Sequence, residues 1–472
     1  MRPPNILFIL IDDLGWKDLG CTGSEFYETP ALDGLAAQGM RFAQAYAASP
    51  VCSPTRASIL TGRYPARVGI TDWIDPVGWM HPLRGRLIDA PYRKELPTSE
   101  FALPRALKEG GYRTWHIGKW HLGGEGYHPE DHGFDVNIGG SFQGSQGRGG
   151  YFSPWTIKGL ENAPVPEGTD ITDYLTDRAI ALIREPSDRP FYLNLCHYCV
   201  HQPIEAKAED IRKYEAKAIR LGLDKVEAIE DGEPFPCMHN RDKPIRRRRL
   251  QSDPVYAAMI ENLDRNIGRL LQTLEETGQA GNTLVIFTSD NGGLATAEGS
   301  PTCNAPLAEG KGWLYEGGTR EPLLIRWPGV VAAGSHCEVP VISTDFYPTL
   351  LEAAGLPLRP GQHLDGLSLL TLLQGTTALE REAIFWHYPH YGNQGGRPGA
   401  AVRMGHDKLI ERFENQQVEL YDLARDPGET RDLSRERPER VRQMRQTLHD
   451  WMQQVTARIP EPNPEWAEAE KR

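Results

Sequence analysis

A chain of 472 residues is long enough for one large hydrophobic core with a smaller unit beside it. Its net charge of -12 at pH 7 argues against general affinity for nucleic acid or anionic membrane, while leaving room for a locally basic pocket. No run of about 18 apolar residues occurs, so no membrane span is expected. The short apolar stretch at 5–11 is too brief and too quickly followed by acids to be a leader; the chain reads as cytoplasmic as written, or as periplasmic or secreted if a leader was removed.

Along the chain, apolar runs ending in polar clusters recur at residues 5–11, 112–117, 190–195, 283–288 and 322–327, with helical patterns between them. That alternation predicts an α/β fold, a large central and mostly parallel sheet sandwiched by helices, with residues 1–375 as the larger domain. Residues 207–250 interrupt it with a charged helical stretch, a Pro-rich turn and four consecutive arginines, Arg246 to Arg249. Such a run suits a polyanion, but on an insertion in an acidic protein it reads as a solvated loop, with the rim of a substrate pocket as the alternative. Residues 255–277 carry Met259, Leu263, Ile267, Leu270 and Leu274 at spacings of three and four before Gly278, which predicts an amphipathic helix packed on the core. From about Leu379 the character changes to short strands at 383–388, 399–403 and 408–413, a helix at 438–459 and a loose Pro- and Glu-rich tail. Residues 376–472 therefore read as a smaller C-terminal antiparallel subdomain with a terminal helix. The seven cysteines are irregularly spaced and suggest no disulfide framework; Cys196 and Cys199, at the end of a buried strand, read as small hydrophobes.

In parallel sheets, sites form where the carboxyl ends of strands meet. Asp12 and Asp13 follow the first strand, and Asp290 and Asn291 follow the 283–288 strand. Three carboxylates and an amide at one edge repel unless a cation lies among them, and all-oxygen ligands suit a hard ion, calcium first, magnesium or manganese next. Cys52 precedes a helix-compatible stretch with Pro54 in its first turn, where a helix amino terminus would lower the thiol pKa, and Arg56 one turn later is a fixed charge partner. Beyond the 112–117 strand, Lys119 offers a point charge for an oxyanion and His121 a proton exchanger. His201, after the 190–195 strand, and Lys311 also fall at strand edges.

Cys52-Ser-Pro54-Thr-Arg56 and the segment Gly111 to His121 resemble the two signature motifs of the type I sulfatases of the alkaline-phosphatase-like superfamily, with threonine at the fourth place where serine is commoner. The likeness runs from Asn5 to about Leu373. It implies that Asp12, Asp13, Asp290 and Asn291 bind one divalent cation, usually calcium, together with Cys52 after oxidation to formylglycine by a formylglycine-generating enzyme. Arg56, Lys119, His121, His201 and Lys311 then match the remaining catalytic positions, and Ser141 stands near a place where some members add a polar contact. The implied reaction is two-step hydrolysis of a sulfate monoester. One hydroxyl of the aldehyde hydrate, held by the cation and Arg56, displaces the alcohol from sulfur; His121 then deprotonates the second hydroxyl and sulfate is expelled. Lys119 and Lys311 would hold sulfate oxygens, and His201 with Lys311 would protonate the leaving oxygen.

A formylglycine-dependent phosphodiesterase or phosphonate monoester hydrolase is the nearest alternative, disfavoured because the further Asp and His ligands of a two-metal site are not evident. A catalytically dead glycan binder is disfavoured because every core position is filled. His387, His390, Asn393, Gln394 and Arg397, with Trp386, Tyr388 and Tyr391, make a Gly-rich polar and aromatic turn that suits a sugar or, equally, a structural hairpin. The expected partners are a sulfated small molecule or glycan and the modifying enzyme, with no nucleic acid and no membrane.

Overall fold

The computed structural model describes residues 3–75, 78 and 80–469. Nine strands form the main sheet, in the order 335–337, 40–46, 320–326, 283–289, 5–11, 191–196, 113–118 and 136–138, with 341–342 also pairing to 40–46. The four central neighbours run parallel: Asn5–Ile11 lies between Phe191–Cys196 and Thr283–Ser289, and Arg113–Gly118 pairs with Phe191–Cys196. The first strand shows why this sheet is buried on both sides. Ile6, Phe8 and Leu10 enter one core, Leu7, Ile9 and Ile11 the other, as the two-residue period of a strand requires. Helices Ile171–Arg184 and Pro254–Glu276 cover one face; Cys52–Thr61, Leu103–Glu109 and Phe346–Ala353 cover the other.

Several expectations shift. Arg320–Arg326 runs antiparallel to both of its neighbours. The strand Met40–Tyr46 was hidden because Arg41 and Gln44 interrupt its apolar residues. Within the insertion, the helix Ala208–Leu221 forms as expected, but the arginine run is no solvated loop: Ile229–Pro234 and Pro244–Arg248 pair as an antiparallel ribbon. Arg247 is buried between Glu233 and Glu309, with nitrogen-to-oxygen distances of 2.8 and 2.9 Å.

Four antiparallel strands, Ile384–Tyr388, Gly399–Met404, Asp407–Arg412 and Val418–Asp422, make the second sheet, covered by the helix Pro438–Gln454. Phe385 stacks on Trp451 with ring centroids 4.7 Å apart. The two sheets share a core: Tyr46, Ala48 and Val51 pack with Trp386, whose indole donates to the Ala47 carbonyl at 2.8 Å. The expected loose tail is tied down instead. Glu461–Pro462 pairs with Leu87–Ile88, and buried Asn463 donates to the Gly85 carbonyl at 2.8 Å. Among the described residues no helix is long and apolar enough to cross a membrane.

His197 follows the strand Phe191–Cys196, fully buried, with neither ring nitrogen hydrogen-bonded among the described residues. Burial holds its imidazole down to about 4. The unfolded chain takes up this proton near 6.5, so the folded state loses stability as pH falls between those values. His197→Phe should therefore lessen the drop in stability between pH 7 and pH 5 by about 2 kcal/mol, read from urea melts at both pH values. An unchanged pH dependence would show that His197 takes up its proton alike in the folded and unfolded chain.

Candidate active site

The parallel strands deliver their carboxyl ends to one edge. Because Ile11 pairs with Ser289, Asp12 and Asp13 emerge beside Asp290 and Asn291. All four are buried, and Asp13 sits at a φ of 65°, a left-handed conformation that turns its carboxylate back toward the edge. The Asn291 amide donates to Asp13 Oδ1 at 2.8 Å, and the Asp13 backbone N–H donates to Asp290 Oδ1 at 3.3 Å. Two buried oxygens here, Asp12 Oδ1 and Asn291 Oδ1, have no hydrogen-bond partner among the described residues. Buried acceptors are rarely left so, and two facing a carboxylate cluster fit a cation. The donor set is oxygen, which favours a hard ion. Ligand atoms of Asp12, Asp13 and His201 also lie within 4.8 Å of one another.

Three cations balance the three carboxylates. Arg56 donates from Nε to Asp290 Oδ2 at 2.8 Å, with its NH2 at 2.7 Å from the same oxygen. Lys119 Nζ donates to Asp12 Oδ2 at 2.6 Å, and Lys311 Nζ to Asp13 Oδ2 at 2.8 Å. Once Asp12 gives up its proton to an ion the fixed charges sum to about zero, and a divalent cation then leaves the edge net positive for an anionic ester. Burial first, then Lys119 against Asp290 and Asp13, leaves Asp12 raised to about 8. Against the upward push of burial, Lys311 and His201 hold Asp13 below the usual carboxylate range.

Cys52 begins its helix and is buried, with Sγ 3.2 Å from His121 Nδ1. The other ring nitrogen, Nε2, lies 2.8 Å from the Ile74 carbonyl. A carbonyl can only accept, so Nε2 carries the hydrogen and Nδ1 presents a bare lone pair to position 52. Burial and then Lys119 keep this imidazole well below its ordinary pKa, hence neutral. Ser53 braces the arrangement: its hydroxyl donates to the His121 carbonyl at 2.9 Å and accepts from the Ile74 N–H at 3.0 Å. The expected lowering of the Cys52 thiol is corrected. Desolvation outweighs Lys119 and Lys311 and raises it.

His201 is half-buried, with Nε2 3.8 Å from Asp13 Oδ2 and Nδ1 2.7 Å from the Gln202 carbonyl. By the same logic Nδ1 is protonated and Nε2 bare. Burial and Lys311 hold this histidine down to about 3, whereas against the downward push of burial Asp13, with Cys52, Asp12 and Glu298, keeps Lys311 firmly protonated.

A family model described as Sulfatase matches residues 4–356. The chain belongs to the sulfatase family. This sulfatase, a sulfuric ester hydrolase by family, also matches a C-terminal model described as "N-sulphoglucosamine sulphohydrolase, C-terminal" at residues 309–458. It is 32% identical to a sulfatase of Formosa agariphila over 93% of this chain and 85% of that one. It is 33% identical to human N-acetylgalactosamine-6-sulfatase, over 79% of this chain and 66% of the human one, and 33% identical to human arylsulfatase A over 92% and 83%. Among solved structures it resembles Ps i-CgsB in complex with k-i-k-neocarrahexaose, with a TM-score of 0.74, 28% identity and coverage of 95% and 93%.

The residues nominated for sugar contact fare differently in this sulfatase. His387 is buried, its Nε2 donating to the Arg458 carbonyl at 2.8 Å, and His390 is buried against Thr71 at 2.8 Å. Trp386, Tyr388 and Tyr391 are wholly buried, Tyr388 donating to Asp72 and Tyr391 accepting from the Leu87 N–H, so they hold the subdomains together and offer no sugar platform. Arg397 pairs with Glu414 at 2.6 Å. Only Asn393 and Gln394 reach the cleft side: Asn393 lines a cavity, and Gln394 donates to Glu298 at 2.8 Å. Ser141 contributes its backbone carbonyl to the His121 N–H at 3.0 Å, while its hydroxyl turns to Gln143. The Ile74 carbonyl, which sets the His121 tautomer, carries no side-chain signal that sequence reasoning could have used, and Ser53, which braces the two segments, stands out only as the residue after Cys52.

Proposed function

We propose that this sulfatase hydrolyses a sulfate monoester on a carbohydrate, with Cys52 as the precursor of formylglycine and one hard divalent cation, calcium first, among Asp12, Asp13, Asp290 and Asn291. The observation that carries the reading is the bare His121 Nδ1 at 3.2 Å from Cys52 Sγ beside two unpartnered buried oxygens. Carbohydrate is favoured because relatives include an N-acetylgalactosamine-6-sulfatase and a structure holding a neocarrahexaose. When bound, the cation supplies charge that stabilises an anionic oxygen and the sulfate oxygens, and formylglycine supplies an aldehyde hydrate as nucleophile.

The chain's own groups then divide the work. Arg56, fixed by Asp290, aims positive charge at the edge where position 52 and the carboxylates meet. Lys119 and Lys311 each use one donor on an aspartate and keep two for sulfate oxygens. His121, neutral with Nδ1 bare, removes the proton from the hydroxyl at position 52. Lys311 is the resident acid for the leaving oxygen. Once Lys311 has protonated the leaving oxygen, neutral His201 beside it takes a proton from water at its bare Nε2 and returns Lys311 to its protonated form. Activation of Cys52 requires a formylglycine-generating enzyme as partner.

Inorganic sulfate released from a panel of monosulfated sugars and an aryl sulfate, set against turnover of an aryl phosphate diester, tests the reading. Sulfate release should dominate; a clear preference for the diester would establish the phosphodiesterase alternative.

A further inference from the structure

A cavity of about 440 Å³ lies beside the catalytic edge, lined by Met80, Phe235, Lys243, Arg246, Glu298 and Asn393 among others. Its size is that of a site for a sugar-sized group or larger. One wall is the turn 297–300, where Ala297, Glu298, Gly299 and Ser300 have φ values of 53°, 41°, 88° and 43°. Left-handed backbone at four residues in a row, three of them not glycine, persists only where surroundings impose it. Here the ribbon imposes it: the Ala297 N–H and the Ser300 hydroxyl both donate to the Arg246 carbonyl, at 2.8 and 3.2 Å.

The same turn touches the leaving-group side of the site. A Cβ on Gly299 would sit 3.0 Å from Gln202 Nε2, the residue after His201, and Glu298 is close enough for its charge to act on Lys311. The cavity is therefore placed for whatever extends beyond the scissile oxygen. Asn393, on its lining, keeps a buried Oδ1 with no hydrogen-bond partner among the described residues.

The four-arginine run supplies the charge. Arg247 is held by Glu233 and Glu309, Arg248 by the Ser300 carbonyl and Ser252, and Arg249 by Glu230. Among the described residues, Arg246 alone of the four lines this cavity while keeping only a loose carboxylate neighbour, Asp231 at 3.6 Å, with both side chains about two-thirds exposed at 64% and 68%. Such a pair is worth little and yields readily to a better anion. Lys243, on the same wall, donates to Asn240 at 3.0 Å and retains two donors.

We infer that this cavity binds the sugar next to the one bearing the scissile sulfate, and that Arg246 and Lys243 select a neighbour carrying an anionic substituent, a sulfate or a carboxylate. This rests on the carbohydrate sulfatase reading and deepens it: the preferred substrate is an anionic oligosaccharide. The insertion ribbon is then a specificity element, and the arginine run is its recognition edge plus three structural anchors.

The test is calorimetric binding to the Cys52→Ala protein, which cannot consume its ligand, with two pairs of tetrasaccharides. ι-Carrageenan and κ-carrageenan tetrasaccharides differ by the second sulfate; chondroitin 6-sulfate and its carboxyl-reduced form differ by the carboxylate. In at least one pair the extra anion should tighten binding about tenfold, as a charge-assisted contact at a half-exposed site would. Which pair responds identifies the group. Adding Lys243→Ala with Arg246→Ala should bring that ratio near unity without lowering the melting temperature, and Arg246→Gln should lower it partway. A ratio below about twofold in both pairs, or one that survives the double substitution, would overturn the inference. Sulfate release by the unsubstituted enzyme is assayed alongside; its failure would sink the sulfatase reading while leaving the binding ratios to stand.

Discussion

Cys52→Ala is expected to lower kcat/KM on any sulfate ester by at least ~10⁴-fold, the scale seen when a covalent nucleophile is removed. The loss should be chemical and not structural. Cys52 is buried, and removing one sulfur from the first turn of its helix leaves a small void that costs about 1 kcal/mol. Around it, His121 remains held by the Ile74 carbonyl and Ser53, and Arg56 by Asp290. Kinetics on one sulfated sugar, with a thermal melt of the same preparation, check both halves. Activity within a hundredfold of the parent would place the nucleophile elsewhere, and a collapsed melt would make position 52 a packing residue.

Removal of the cation should be nearly as severe. A chelator is expected to abolish turnover reversibly, calcium restoring it ahead of zinc, because the unpartnered acceptors at this edge are oxygens. Asp290→Asn should resist rescue at ion concentrations that saturate the parent. It should also melt lower, since Arg56 would stay buried with its remaining carboxylate, Asp12, 3.9 Å away; breaking a buried pair from one side costs about 3–5 kcal/mol. Ion binding should release a proton at pH 7, because burial, with Asp290 and Asp13 nearby, raises Asp12 to about 8. Apparent affinity for the ion should therefore climb with pH up to about 8 and then level off. Full activity in the chelated protein would remove the cation from the account.

The central strands were legible because burial on both faces turns them into continuous apolar runs, Asn5–Ile11 being the clearest. The same property put Asp12 and Asp290 at one edge, since a charged pair after a buried strand has nowhere else to emerge. Met40–Tyr46 was not legible: Arg41 and Gln44 reach the surface and give it a mixed pattern. The C-terminal His387-Tyr-Pro-His390-Tyr391 segment misled for a chemical reason. Histidines and tyrosines that satisfy one another in a seam between sheets have the same composition as those that grip a sugar, and only burial distinguishes them. The thiol of Cys52 erred the other way, because a helix start predicts a lowered pKa while full desolvation raises it. The arginine run divided by strand geometry, which no composition argument anticipates.

The mass of the Cys52 peptide, from protein purified out of its native host and assayed in parallel, bears most directly on the account. The expected product has lost the thiol sulfur with two hydrogens and gained an aldehyde oxygen, in a fraction that tracks specific activity. A fully active enzyme whose residue 52 is unmodified cysteine would contradict it.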